Sequence, residues 1–260
     1  MKRRQLMRYS GISLLAAIAT TGIFTPQFSL AQNATESVTI KYLGHSCFLF
    51  TGNGLQVLVN PFRPAGCTAG YSIPDVQPDL VLASSFLLDE GAVEQVKGNP
   101  KIITASGDHR MGGVKFQGIT MPHDREGGRR FGTNIAWRWT QGGIDILHLG
   151  GAAAPISTEE KILLSSPDIL LIPVGGSAKV YNPQEAQQAI ASLKPKVVIP
   201  TQYLTTAADP KDCDLESVDN FLNLLQGMEV KKLDSDSITI KPQDLPSDRT
   251  LVRVLSYPGT

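Results

Sequence analysis

The side chains able to do chemistry are few in this 260-residue chain. It holds four histidines, His45, His109, His123 and His148, and an acid pair, Asp89 and Glu90, that follows directly on the run D-L-V-L-A-S-S-F-L-L at residues 79–88. A short apolar strand ending in a turn is how α/β folds present reactive groups at a strand's C-terminal end. This edge presents Ser84, Ser85, Phe86, Leu87 and Leu88 before the acids, which is little chemistry for such a place. Nucleophilic serines are disfavoured, because no histidine lies near them in sequence and no G-x-S-x-G turn exists. Asp89 and Glu90 fit the first turn of a helix, where they would cap N–H groups and complement the dipole. His123 reads equally well as a loop histidine held by Asp124 or as a site residue. His45, between two strands, reads as a structural hydrogen-bonding group; His148 ends a strand and is open to both readings; His109, in the loop G-D-H-R-M-G-G, faces solvent. Arg125, Arg129 and Arg130 share the loop D-R-E-G-G-R-R-F-G, which suits an anionic ligand but fits a solvated loop tip better.

The elements that must position these residues follow from periodicity and turn residues. Strand-like runs occupy 38–42, 46–51 and 56–59, with G-N-G at 52–54 as a hairpin signal. A Pro- and Gly-rich stretch over 61–78 reads as a long surface loop. It leads to a strand at 80–83, a helix over 90–97 and a strand at 101–104. Further strands are expected at 114–120, 134–139 and 144–148, the last after the Gly142-Gly143 turn. Helices and strands then alternate: Ser157 with Glu160 is a capping box, and Asn182, Pro183 and Glu185 supply a cap, an N1 proline and an N3 acid. The strands at 168–174 and 197–201 are almost wholly apolar, so both of their faces must be covered. Two halves, each opening with hairpin strands and closing with strand-helix units, predict a layered α/β sandwich with no linker.

Five segments, taken in order, resemble the metallo-β-lactamase fold: Y-L-G-H-S-C-F-L-F-T-G-N-G-L-Q-V-L-V-N-P-F, G-G-V-K-F-Q-G-I-T-M-P-H-D, G-G-I-D-I-L-H-L-G-G, P-D-I-L-L-I-P-V-G-G and L-K-P-K-V-V-I-P-T-Q-Y-L-T. The likeness is to its branch of small metal-dependent hydrolases that includes ascorbate-lactonase-like proteins, and it runs from about residue 38 to 242. The resemblance implies a four-layer αββα sandwich. It also implies a His-x-His-x-Asp-His run after the strand at 80–83 which, with a later His, an Asp and a final His, holds one or two zinc-like ions that activate a water. Mapped residue by residue, this chain keeps Asp89 and His123 from that set. Ser85 and Leu87 stand for the first two histidines, Glu90 for the last of the run, Gly151 for the bridging Asp and Gln202 for the final His. The Asp that orients a ligand histidine in the family's V-D-P-F segment is Asn60. Ligands and their support are missing together, which fits a site that no longer holds metal better than one retuned for another metal.

Outside the site, the start K-R-R-Q-L-M-R, the apolar run over 12–24 and S-L-A at 29–31 resemble a twin-arginine signal peptide cleaved after Ala31. The expected organisation is a signal at 1–31 and one domain over 32–260. Residues 1–31 carry Lys2, Arg3, Arg4 and Arg8 and no acid, so the 24 basic and 24 acidic residues of the whole chain leave 20 against 24, or −4, for the rest. That balance disfavours nucleic-acid partners. Cys47, Cys67 and Cys213 are compatible with one disulfide or with three buried thiols. The expected function is that of an exported pseudoenzyme, in a periplasm or thylakoid lumen, not spanning the membrane, that has lost its dinuclear metal site, needs no cofactor and binds a small molecule or protein partner. The alternative is a metal-dependent hydrolase with one zinc or other divalent ion on Asp89, Glu90 and His123. His45, Ser85, Leu87, His148, Gln202 and Arg129 are the expected cleft residues beside that set.

Overall fold

In the computed structural model, which describes residues 36–209 and 211–257, the alternating run at the start of the sandwich becomes β1 (Val38–Gly44), buried at every second residue. The described residues lie within one unit, Ala34–Thr260; the signal-peptide reading of 1–31 falls outside them. The first sheet continues with β2 (Cys47–Gly52), β3 (Leu55–Val59), β4 (Leu80–Leu82) and β5 (Lys101–Ile103). The second begins with β6 (Gly107–Met111), β7 (Val114–Pro122), β8 (Thr133–Gln141) and β9 (Ile144–His148). It is completed by β10 (Ile169–Pro173), β11 (Val197–Thr201), β12 (Glu229–Lys232) and β14 (Leu251–Val254), while β13 (Ser237–Ile240) returns to the first sheet beside β1. Among the described residues, three α-helices, α1 (Thr158–Leu164), α2 (Pro183–Leu193) and α3 (Val218–Leu222), accompany the sheets.

Burial explains why the two all-apolar strands do not alternate. Ile169 and Leu171 of β10 enter the core between the sheets, while Leu170 and Ile172 enter the core under the helices. The inner core is closed by Val38, Ile40, Phe50, Trp137 and Trp139, with Phe50 and Trp139 edge to face at 4.8 Å between centroids. α2 opens with the expected Asn182–Glu185 capping box and buries Ala186, Ala189, Ile190 and Leu193 on the second sheet. Burying Ile190 and Leu193 contributes about 1.5–3 kcal/mol each.

The outer layer over the first sheet differs from the expected helical one. The helix predicted over 90–97 is only a 3-10 turn at Val93–Gln95. Gly91 packs against the backbone of Ser85, where a Cβ would lie 2.1 Å from the carbonyl oxygen. So short a run, with Gly at both ends, has too few residues to offset the cost of helix nucleation. Phe62, Tyr71 and the loop carrying them cover Cys47, Leu58 and Val81 instead. His109 is likewise not in a loop: it lies in β6, with Nε2 2.8 Å from the Ala105 carbonyl and its ring 6.0 Å from Trp137.

Strand direction gathers the site. β9, β10 and β11 are mutually parallel, β7 is antiparallel to β8 and β8 to β9, so β7, β9, β10 and β11 all end at one edge. The turn after β4 meets the same edge: Trp137 Nε1 donates to Ala83 O at 3.2 Å, and Ile135 N donates to Ser84 O at 2.8 Å. At the far end of β8, Gln141 Nε2 donates to Gly52 O and Leu55 O.

Cys67 and Cys213 form a disulfide across 146 positions, and Cys47 is a buried free thiol. The bond joins the long 61–78 loop to the chain after β11. Replacing both cysteines by serine is expected to lower the unfolding free energy by about 2–4 kcal/mol. Denaturant titration checks it, with reductant destabilising the wild type and leaving the double variant unchanged.

Candidate functional site

Four loops converge at the shared edge, and one carboxylate stands where they meet. Glu90, fully buried, is directed inward by the turn after β4, its N–H donating to Leu87 O at 3.0 Å. Its Oε2 accepts from Ser85 Oγ at 3.0 Å and faces His123 Nε2 at 3.3 Å, and its Oε1 accepts from Gln202 Nε2 at 2.8 Å. Residue 151 adjoins the same oxygen: a Cβ on Gly151 would lie 1.9 Å from Glu90 Oε1. His123 is itself fixed from two sides, donating its N–H to Gly132 O and accepting at its carbonyl from Ala153 N. Burial raises the Glu90 carboxyl and lowers the His123 imidazole, but the two groups' mutual attraction outweighs this, holding Glu90 below and His123 above their usual ranges. They form a buried ion pair.

Asp89 points elsewhere. Its carboxylate meets His45 Nε2 at 3.3 Å and is hydrogen-bonded to Lys179 Nζ. Burial would raise the Asp89 carboxyl, yet His45 and Lys179 keep it far below the ordinary value. Gln202 Nε2 also lies 3.2 Å from His45 Nε2. One ring nitrogen cannot donate to Asp89 and accept from Gln202 at once, so the proton on His45 decides which of them is bonded. Behind this layer, neutral His148 is locked: Gly150 N donates to Nδ1 at 3.0 Å, and Nε2 donates to Ser46 O at 3.1 Å. Burial pushes its pKa down to about 4.

The sequence-predicted residues therefore divide. Ser85, Glu90, His123 and Gln202 come together; His45 and Asp89 form an adjoining pair; His148 lies beneath them. Asp89 and Glu90 cap no helix. Asp124 does not hold His123; it accepts from the backbone N–H groups of Glu126, Gly128, Arg130 and Phe131 and shapes the loop. Arg125 pairs with Glu185. Arg129 does not line the cleft; it is exposed, its Nε donating to Glu126 O within its own loop. Asn60 takes the supporting role expected of a neutral amide, with Oδ1 accepting from Ser84 N at 2.9 Å. Lys179, the partner of Asp89, is not marked by any motif. Its only signal is a cation in a Gly- and Ser-rich loop at the C-terminal end of a parallel strand.

Two clefts flank the turn after β4. One, of about 400 Å³, is bordered by His45, Cys67, Leu87, Asp89, Lys179 and Asp214. The other, of about 480 Å³, is bordered by Ser85, Phe86, Thr104, Phe131 and Thr133.

A two-metal centre needs several imidazole, carboxylate or thiolate donors aimed at common points. Leu87 offers none, and the Glu90 carboxylate fills the space beside Gly151 and is already hydrogen-bonded by three side chains. Among the described residues no group of three or more His, Cys, Asp or Glu is placed to hold one ion. Asp89, Glu90 and His123 do not converge as the single-ion alternative requires. The residues present do not fit the metal centre that the resemblance implies.

A profile described as β-lactamase superfamily domain matches residues 39–202, more than half of the chain. A protein of Thermococcus onnurineus called a UPF0173 metal-dependent hydrolase is 28% identical over 203 residues, spanning 67% of this chain and 90% of its own. A protein of the same description from Thermus thermophilus is 27% identical over 197 residues, spanning 65% and 84%. The crystal structure of a Thermotoga maritima protein, provisionally described as a zinc-dependent hydrolase of the metallo-β-lactamase superfamily, superposes with a TM-score of 0.65 at 28% identity. It covers 84% of this chain and 98% of the other.

The ionisable groups set the pH response. The Glu90–His123 pair stabilises fully between the ordinary carboxylate and imidazole values; its contribution falls as pH rises through the raised His123 pKa, or drops through the lowered Glu90 one. His148 acts oppositely to His123. Its folded pKa of about 4 lies below the ordinary 6.5, so the unfolded chain binds the proton first and stability is lost as pH falls through that window. The loss attributable to His148 is about 3 kcal/mol between pH 7 and pH 4. Urea titrations of wild type and His148→Gln check this: the stability advantage of the wild type should shrink by that amount on acidification and stay constant above pH 7.

Proposed function

The chain belongs to the β-lactamase superfamily, and from that premise we propose that it is an exported protein of the metallo-β-lactamase fold that binds a small molecule or protein partner instead of carrying out two-metal hydrolysis. The carrying observation is the turn where the family's ligand run would stand. Phe86 is 82% exposed and Leu88 51%, and they lie with Leu87 between the two clefts. Large apolar side chains exposed beside a concave surface are contact groups, not metal ligands. The acidic balance of the chain after residue 31 argues against nucleic acid as the partner. Among the described residues no helix is long and apolar enough to cross a membrane. Export after folding, to a periplasm or thylakoid lumen, is supported by Arg3, Arg4 and the S-L-A segment, and by the Cys67–Cys213 disulfide, a bond of oxidising compartments.

A second reading has specific support. The relatives are called metal-dependent hydrolases, and His45 Nδ1 and His123 Nδ1 are buried with no hydrogen-bond partner among the described residues. On this reading the chain is a hydrolase with a reduced, carboxylate-rich site for one zinc or other divalent ion on Asp89, Glu90 and His123, reached by rearrangement of Asp89.

Elemental analysis of the purified, folded protein separates the two. The binding reading expects no stoichiometric zinc, manganese or iron and no turnover of lactones, phosphodiesters or thioesters with any added divalent ion. One bound ion per chain, with chelator-sensitive turnover abolished by His123→Ala, would establish the hydrolase. For export, N-terminal sequencing of the mature protein should begin at Gln32; a chain beginning at Met1 in the exported fraction would contradict it.

A further inference from the structure

We propose that Glu90 and Gly151 are a matched pair in which the Glu90 carboxylate is an ion-free keystone for the four site loops, and residue 151 is glycine to make room for it. This rests on the reading above that the two-metal centre is absent, and it says what holds the site together instead.

Space, not backbone conformation, explains Gly151. Its φ lies outside the left-handed region that favours glycine, unlike that of Gly150 at +63°. A Cβ at 151 would meet Glu90 Oε1 at 1.9 Å, Glu90 Cδ at 2.7 Å and His123 Cε1 at 2.8 Å. A flexible neighbour would move aside, but Glu90 has nowhere to go. It is fully buried, and Ser85, His123 and Gln202 bond its two oxygens. Displacing it would strand three polar side chains away from water, His123 among them as a cation.

The donors come from three different places in the fold. Ser85 follows β4, His123 follows β7 and Gln202 follows β11, while Gly151 follows β9. A carboxylate arriving on the first loop thus draws the next two in and requires the fourth to be bare. It performs from within the chain the tethering that a shared ion performs in a metal centre, and the clefts on either side keep their shape without any metal supply. For a protein exported already folded, no ion needs to be loaded before transport.

The test is a carboxylate swap. Gly151→Asp and Glu90→Ala are made singly and together, and thermal unfolding is followed in chelator and in zinc chloride. Each single variant should lower Tm by roughly 5–10 °C. The combined variant, which removes the obstruction and returns a carboxylate toward His123 from the other side, should melt above both singles. If a single variant fails to fold, soluble yield is read in the same order. Drops that simply add in the combined variant, or a combined yield no better than the worse single, overturn the keystone while leaving the metal-free reading in place. The wild-type Tm should be the same in chelator and zinc; a rise with zinc overturns both, because the ion would then be taking donors that the keystone requires.

Discussion

A carboxylate taken wholly out of water must be surrounded by donors or neutralised, and everything at the open edge of this sandwich is arranged around that requirement for Glu90. His123 supplies the opposite charge; Ser85 and Gln202 supply neutral hydrogen bonds. Removing one partner of such a buried pair costs about 3–5 kcal/mol, because what is left is an uncompensated charge. That penalty locks the side chains more firmly than their hydrogen bonds would alone. It also explains why the neighbouring carboxylate, Asp89, is turned away toward Lys179 and His45. Two acids sharing one cation in a dry pocket would raise each other's pKa, whereas separate cations let both stay ionised.

The backbone around the pair carries local strain. His45, Asn60 and Gln202 all sit at positive φ, between 48° and 55°, without being glycine. Each such residue costs of order 1 kcal/mol and persists only where its surroundings over-determine it. Here they do: Gln202 N donates to His45 O, and Asn60 joins the turn after β4 through Ser84 N. Positions 45, 60 and 202 carry, in that order, an imidazole facing a carboxylate, an amide and an amide.

How far the sequence reaches follows from where its information is local. Alternating or continuous apolar runs mark β1, β3, β9, β10 and β11, because burial on one face or two is written residue by residue, and the cap of α2 is legible from Asn182 and Glu185 alone. The predicted helix at 90–97 fails because its obstacle is tertiary: Gly91 lies against Ser85, a contact that no periodicity encodes. The edge strands β6, β12 and β13, and the four-residue β14 between β12 and β11, are short and expose much of their surface, so their patterns are faint. Within the site, the identities at 85, 87, 90, 123, 151 and 202 could be aligned in advance. That Glu90 turns inward while Asp89 turns outward could not, since the acids are adjacent and equally suited to a helix cap. Lys179 and the Cys67–Cys213 pairing were invisible for the same reason, as each depends on loops that meet only in three dimensions.

Family membership therefore constrains this protein less than its residues do. The superfamily fold gathers several loops at one edge, and what those loops hold is decided one side chain at a time. Here direction matters: Glu90 turns into the centre while its neighbour Asp89 turns toward His45 and Lys179, and Glu90 enters volume that any side chain at 151 would occupy. The Glu90 carboxylate has both its oxygens bonded from within the chain, while His45 Nδ1, His123 Nδ1 and Gln202 Oε1 are buried without a hydrogen-bond partner among the described residues. Outside that cluster, at Phe86 and Leu88, apolar surface faces water, and burying such surface is favourable in proportion to area. The exposed apolar shelf of Phe86 and Leu88 thus lies beside the two clefts, with the buried Glu90–His123 pair held in the turn and loops next to it.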